Sequence, residues 1–129
     1  MHPNHHDVFR TLAELEARER HATEAFFDAW KHGVALAGVR FFGTGTREAF
    51  DLARTKWDLC PNVRLITAAI GPMSAGEKVF LAGMVSFYDA HDGGALLRRV
   101  GVHGLSDLGS LDAERREVIA SLLVYYAGW

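Results

Sequence analysis

The residues that decide the fold class are 7–37, DVFRTLAELEARERHATEAFFDAWKHGVALA. Their apolar side chains recur at steps of three, four and seven, which is the repeat of one helix face. This apolar stripe consists of Val8, Leu12, Leu15, Ala22, Phe26, Trp30 and Val34. Gly38 follows, and glycine is typical just beyond a helix C-terminus. We therefore predict a helix over about residues 7–37 that runs along most of the domain.

Two more segments combine a helical repeat with start and stop signals. Thr46 is a good N-cap for a helix that we expect to continue to Pro61, because the residue before a proline avoids helical geometry. Ser74 and Glu77 have the spacing of a capping box, in which each side chain accepts a hydrogen bond from the other residue's backbone N–H. We expect the helix that follows them to end at the glycine pair 93–94.

The stretch 63–70, VRLITAAI, fits either a buried helix or a short strand. Its two alanines, and Asn62 as a cap, favour the helix. If it is a strand, its partner is 39–42. A last helix is indicated by Asp112 and a second acid in the first turn, where the helix dipole favours negative charge. We predict an all-α fold, a compact bundle of about five helices, with an α+β fold containing that strand pair as the alternative.

Composition limits the function classes. The 129 residues are enough for one domain, and 49% hydrophobic with 23% charged residues is typical of a globular protein. A net charge of −2 argues against a dedicated nucleic-acid binder. A single cysteine, Cys60, favours a reducing compartment, and no apolar run is long enough for a membrane span. We expect a cytoplasmic protein with a disordered tail at residues 1–6.

The most polar cluster is Asp89-Ala90-His91-Asp92, directly before the glycine pair. His91 with Asp89 or Asp92 has the composition of an oriented general base. The structural explanation is a helix C-cap, since a histidine in the last turn complements the dipole and Asp-Gly-Gly makes a turn. We favour the cap and keep these three residues as the candidate catalytic site.

Histidine and carboxylate also alternate along one side of the first helix. These residues are His21, Glu24, Asp28 and His32. Helical bundles hold iron or manganese with such side chains, but they use Glu-x-x-His on two helices, and no second helix here supplies it. We interpret this face as solvated and expect no metal and no cofactor.

Residues 97–111, LRRVGVHGLSDLGSL, resemble the small-helix unit of helix-hairpin-helix modules and of the C-terminal domain of the RNA polymerase α subunit. The resemblance implies two short helices packed by Leu97, Val102, Leu105 and Leu108. The glycine-rich hairpin that touches the DNA backbone in those families is absent from this sequence. A small basic patch nearby would consist of Arg98, Arg99, Arg115 and Arg116.

Large aromatic side chains that a small domain cannot easily bury indicate an interface. They are Phe41, Phe42, Tyr125, Tyr126 and Trp129. We therefore expect a non-enzymatic helical interaction or adaptor protein that forms a homodimer. The alternatives are a small nucleic-acid-binding protein that uses the helix-hairpin-helix-like segment and a metal- or ligand-binding enzyme centred on the cluster at 89–92.

Overall fold

The structure, a computed structural model, describes residues 5–129. Those residues form six α-helices: α1 (His5–Ala37), α2 (Arg47–Leu52), α3 (Val63–Ala69), α4 (Ala75–Tyr88), α5 (Ala90–Arg99) and α6 (Ala113–Tyr125). Short 3₁₀ helices lie at Val39–Phe41, Lys56–Leu59 and Leu105–Ser110. The all-α prediction is confirmed. The predicted tail at 1–6 falls partly on residues 1–4, which lie outside the described residues, and α1 begins at His5, two residues before the expected start.

The α+β alternative is wrong. The expected first strand is a 3₁₀ helix, and 63–69 is the helix α3. In the described part of the chain, the β pairing consists of one isolated bridge between Phe42 and Pro61. Asn62 caps α3 as predicted, because its side-chain oxygen accepts a hydrogen bond from the Leu65 backbone N–H at 3.1 Å.

Two other predicted caps are also confirmed. The Thr46 hydroxyl accepts from the Ala49 N–H at 3.1 Å and begins α2. The Ser74 hydroxyl accepts from the Glu77 N–H at 3.3 Å and donates to the Glu77 carboxylate at 2.6 Å, which begins α4. Local side-chain chemistry therefore sets where these helices start.

The helix expected to run from Thr46 to Pro61 is interrupted. It ends at Leu52, and the chain turns into the 3₁₀ helix Lys56–Leu59. Asp58 causes the turn, since its carboxylate accepts from the backbone N–H groups of Arg54 at 2.9 Å and Thr55 at 3.0 Å. The predicted helix therefore does not continue, because a capping box formed by Thr55 and Asp58 begins a 3₁₀ helix within its expected range.

The break between α4 and α5 also differs from the expectation. The glycine pair does not end a helix; the chain breaks at Asp89, and both glycines lie within α5. A Cβ on Gly93 would overlap the Cα and backbone N of Ser86 on α4. Glycine is therefore required for α5 to fold back directly against α4, and this helix pair is the most extensive contact of the fold.

Helix α4 is the centre of the core. Its residues 79–85 are all buried, which is the pattern of a helix covered on every side. Phe26, Trp30 and Val34 of α1 and Leu122 of α6 are buried in the same cluster. The Trp30 indole N–H donates to the Leu59 carbonyl at 2.9 Å and ties α1 to the 3₁₀ helix after α2.

Only the second half of α1 takes part in this packing. All of residues 8–21 are exposed, so the first half of the helix projects from the rest of the fold. The expectation that the whole helix runs along the domain is therefore wrong for this half. The other elements end about halfway along its length.

The two neighbouring glycines of α5 offer a matched test of the close helix contact. Gly93→Ala should lower the free energy of unfolding by about 1–3 kcal/mol or more, because backbone atoms of Ser86 occupy the space. Gly94→Ala should raise it by up to about 1 kcal/mol, since its Cβ would meet only the Arg98 guanidinium at 3.6 Å and alanine favours helix. Urea unfolding followed by circular dichroism measures both. Equal effects of the two substitutions would contradict this account of α5.

Candidate interaction surfaces

The polar cluster at 89–92 is a helix cap, but at the opposite helix end from the one predicted. The Asp89 carboxylate accepts from the backbone N–H groups of His91 at 2.9 Å and Asp92 at 3.0 Å, so Asp89 is the N-cap of α5. The dipole argument for a histidine in a last turn does not apply, because His91 lies in a first turn. In the described part of the chain, no hydrogen bond joins the His91 ring to either carboxylate.

His21 and His32 of α1 contact α6. The His21 ring meets the Tyr125 ring edge-on at 5.7 Å, and His32 Nε2 lies 3.0 Å from a Glu114 carboxylate oxygen. Over residues 8–129, no three His, Cys, Asp or Glu side chains are close enough together to hold a metal ion. His21, Glu24 and Asp28 are exposed, so this face of α1 is largely solvated apart from its two contacts with α6.

Three arginines of the predicted basic patch are engaged within the protein. Arg99 donates to a backbone carbonyl of α3 at 2.8 Å, and Arg116 donates to two carbonyls before α6 at 2.8 and 2.9 Å. Arg115 lies 2.5 Å from the carboxylate that caps α6. Arg98 is exposed. Three of these four guanidinium groups therefore already have partners within the protein, which makes them less available to bind the phosphates of a nucleic acid.

The predicted aromatic interface is wrong for Phe41 and Phe42. Both side chains are buried in the core, and Phe42 meets the Trp30 ring edge-on at 5.8 Å. The bridge from Phe42 to Pro61 brings this segment under α1. Neither side chain is exposed enough to contact a partner.

The three C-terminal aromatic side chains of the predicted interface fold back onto the same core. Trp129 is partly buried, with its ring 4.7 Å from Trp30 and 5.1 Å from Tyr88. Tyr125 is partly buried and Tyr126 is exposed. The Lys56 ammonium lies 5.1 Å from the Trp129 ring and donates to the Gly128 carbonyl at 2.6 Å. Burial in this aromatic surrounding lowers the pKa of Lys56.

Cys60 lies beside the same cluster. Its thiol donates to the Trp57 carbonyl at 3.3 Å, and burial raises the pKa of this thiol above its usual value. A raised pKa keeps the sulfur protonated, which disfavours a nucleophilic role. Cys60 is therefore a structural thiol.

One exposed apolar feature lies on the projecting half of α1, called the arm from here on and defined as residues 5–20. Its exposed large side chains are Val8, Phe9, Leu12 and Leu15, at 43–68% of their full accessibility. Successive steps of four and three place Val8, Leu12 and Leu15 on one face. Sequence reasoning identified this stripe but expected it to be covered by the rest of the domain.

A second apolar feature is a groove between α4, α5, the 3₁₀ helix Leu105–Ser110 and α6. It has a volume of about 390 Å³ and continues into a neighbouring hollow of about 380 Å³. The apolar side chains lining the groove are Val79, Phe87, Leu97, Val102, Leu105, Leu108, Leu111, Ile119 and Leu123. We call this surface the α6 groove.

The α6 groove corrects what the helix-hairpin-helix-like resemblance implied. Leu97, Val102 and Leu108 are partly buried against the core, but Leu105 is 86% exposed at the groove edge. The segment therefore forms the wall of a groove, with one leucine left in solvent. The sequence could not have indicated this groove, because it exists only once α5 folds back along α4.

Comparison with known proteins assigns no relationship, since no family model, curated protein or solved structure matches the chain. None of the described helices has both the length and the hydropathy that crossing a membrane requires.

The capping geometry at the start of α5 predicts different effects on stability for substitutions of Asp89 and of His91. Asp89→Ala should lower the free energy of unfolding by about 0.5–2 kcal/mol, because two backbone N–H groups lose their acceptor. His91→Ala should change it by less than about 0.5 kcal/mol, since that ring is exposed. Urea unfolding of both variants decides the matter. A larger loss from His91→Ala would reject the capping role.

The turn that carries Lys56 should be sensitive to acid. Two backbone N–H bonds hold the pKa of Asp58 below its usual value near 3.8, so its ionised form stabilises the fold. This stabilisation is complete above the unfolded-state pKa and is lost as the pH falls through the lower folded-state pKa. Asp58→Asn should therefore be less stable than the unchanged protein at neutral pH, and the gap should narrow in strong acid. Urea midpoints over a pH series test this, and a gap independent of pH would contradict it.

Proposed function

We propose that this protein is a non-enzymatic helical interaction protein, of adaptor type, that self-associates as a homodimer through the arm. The observation that carries the proposal is the exposure of Val8, Phe9, Leu12 and Leu15 on a half-helix that packs on no other described element. A contiguous apolar patch of this kind on a soluble protein marks an interaction surface.

The energetics of helices support this role for the arm. An isolated helix of about 12–15 residues is marginal in water, and most helical stability in proteins comes from packing an apolar face. The arm has such a face, on which Val8, Leu12 and Leu15 remain 43–51% exposed within the described part of the chain. Because about half of each side chain is exposed, covering Leu12 and Leu15 in a partner would contribute about 0.7–1.5 kcal/mol each.

The geometry of the candidate catalytic cluster gives little support to an enzymatic function. The carboxylate of Asp89 is occupied as a helix cap, and the ring of His91 is exposed rather than held in a pocket. The partners of the arginines likewise give little support to a nucleic-acid-binding role. The single cysteine, which cannot form a disulfide within the chain, supports placing the protein in the reducing cytoplasm.

Self-association through the arm can be tested with two matched double variants. Leu12→Glu with Leu15→Glu places two charges on the apolar face and should convert the dimer to a monomer. Arg10→Glu with Ala17→Glu places two carboxylates on the opposite face of the same helix segment and should leave the dimer intact. Light scattering at micromolar concentration should give about twice the 14.3 kDa chain mass for the unchanged protein.

Circular dichroism serves as the folding control for these variants, because the arm contributes nothing to the buried core. All three proteins should keep the same thermal unfolding of the core when compared as monomers at low concentration. An unchanged protein that is monomeric at every concentration would reject the proposal. So would equal masses for the two double variants.

A further inference from the structure

We propose that the arm of one copy docks into the α6 groove of a second copy, and that the second arm docks into the first groove. The homodimer would then be a reciprocal exchange of arms. This inference rests on the proposed self-association and adds the identity of the surface that the arm recognises.

Six of the ten strongly exposed large hydrophobic side chains of the described residues lie in these two places, and the other four are Leu52, Trp57, Val124 and Tyr126. Of the large hydrophobic side chains that are strongly exposed, Val8, Phe9, Leu12 and Leu15 belong to the arm. Leu105 and Leu123 line the α6 groove, at 86% and 69% exposure. The arm projects from the domain and the α6 groove is concave, so the shapes of the two surfaces are complementary.

The dimensions favour side chains entering the groove rather than a whole helix. Residues 5–20 form a helix about 24 Å long at 1.5 Å per residue. A helix is about 10–12 Å across, and a groove of about 390 Å³ takes the apolar side chains of one face. The neighbouring hollow shares Leu105, Leu108, Leu111 and Ile119 with it, which lengthens the surface along α6.

The charges of the two surfaces are complementary. At 100° per residue, Glu19 falls on the apolar stripe of the arm and Glu16 beside it. The groove and the hollow next to it are lined by no carboxylate among the described residues; their titratable side chains are His103 and Arg116. The Asp107 carboxylate lies outside this lining, where it accepts from the His103 backbone N–H at 2.7 Å. The two glutamates of the arm face would therefore meet a lining whose permanently charged side chain is Arg116, which favours this pairing.

Direct pairing of two arms is less favourable by the same reasoning. A parallel pair would place Glu19 of one copy opposite Glu19 of the other, and like charges at such a position are destabilising. An antiparallel pair centred between Leu12 and Leu15 would place Glu19 opposite Val8. Either arrangement would also leave the α6 groove uncovered. Exchange of arms covers both apolar surfaces in both copies and closes with two-fold symmetry.

The test uses a groove variant beside the arm variant. Leu105→Glu with Leu123→Glu changes two exposed side chains of the groove, so the fold should persist, and this protein should be monomeric. Leu52→Glu is the matched control, because Leu52 is 70% exposed but lies on α2, outside the groove, and this protein should stay dimeric. Light scattering and circular dichroism are measured for each.

Mixing gives the decisive result. The arm variant keeps an intact groove and the groove variant keeps an intact arm, so an equimolar mixture of the two monomers should form a heterodimer with one of the two contacts. Native mass spectrometry resolves this species once one chain is isotopically labelled. We expect its dissociation constant to lie above that of the unchanged dimer, and we titrate to high micromolar concentration for that reason.

The outcomes separate this inference from the proposed function. If the arm variant is monomeric and the groove variant remains dimeric, the arms pair with each other; the proposed function stands and arm exchange is rejected. If both variants are monomeric and the mixture forms no heterodimer, arm exchange is rejected as well. If the arm variant remains dimeric, the proposed function itself fails. Heterodimer formation from two monomeric variants supports arm exchange.

Discussion

The contact between Gly93 of α5 and Ser86 of α4 is the constraint on which the rest of the fold depends. Only a residue without a Cβ allows the two backbones to approach so closely. The approach is prepared by Asp89, whose carboxylate caps α5 immediately after α4 ends. Because α5 returns along α4, it covers one side of the most apolar helix and leaves α1 and α6 to cover the others.

The same constraint distributes the apolar surface of the protein. With α5 held against α4, the following 3₁₀ helix stands beside α6, and the α6 groove opens between them. At the other side of α4, the rings of Trp30, Phe26 and Trp129 fill the space under the C-terminal segment. The Trp129 ring therefore packs within its own chain, whereas exposed apolar side chains remain on the arm, at the groove and at four other positions, Leu52, Trp57, Val124 and Tyr126.

The parts of the fold that follow from local chemistry could be predicted. The stripe from Phe26 to Val34, and the caps Thr46, Asn62 and Ser74, depend on residues within a few positions of one another. The breaks could not be predicted, because Asp89 beside a glycine pair fits the end of one helix as well as the start of the next. The burial of Phe41 and Phe42 depends on a pairing with Pro61 that has no local signal. Sequence reasoning likewise located the stripe of the arm but not how far the other helices reach along α1.

Folding and assembly of the arm are coupled if the arm has a partner. The buried half of α1 supplies the helical nucleus, so extension into the arm costs less than forming a helix from an unfolded segment. The arm nevertheless gains no packing energy in the monomer, since its exposed Leu12 and Leu15 contact solvent. A partner that covers this face binds only the helical arm and shifts the equilibrium towards it, as mass action requires. The helicity of residues 5–20 should therefore depend on protein concentration, whereas that of the core helices should not. The difference arises because α1 is a single long helix and the rest of the domain covers only its second half.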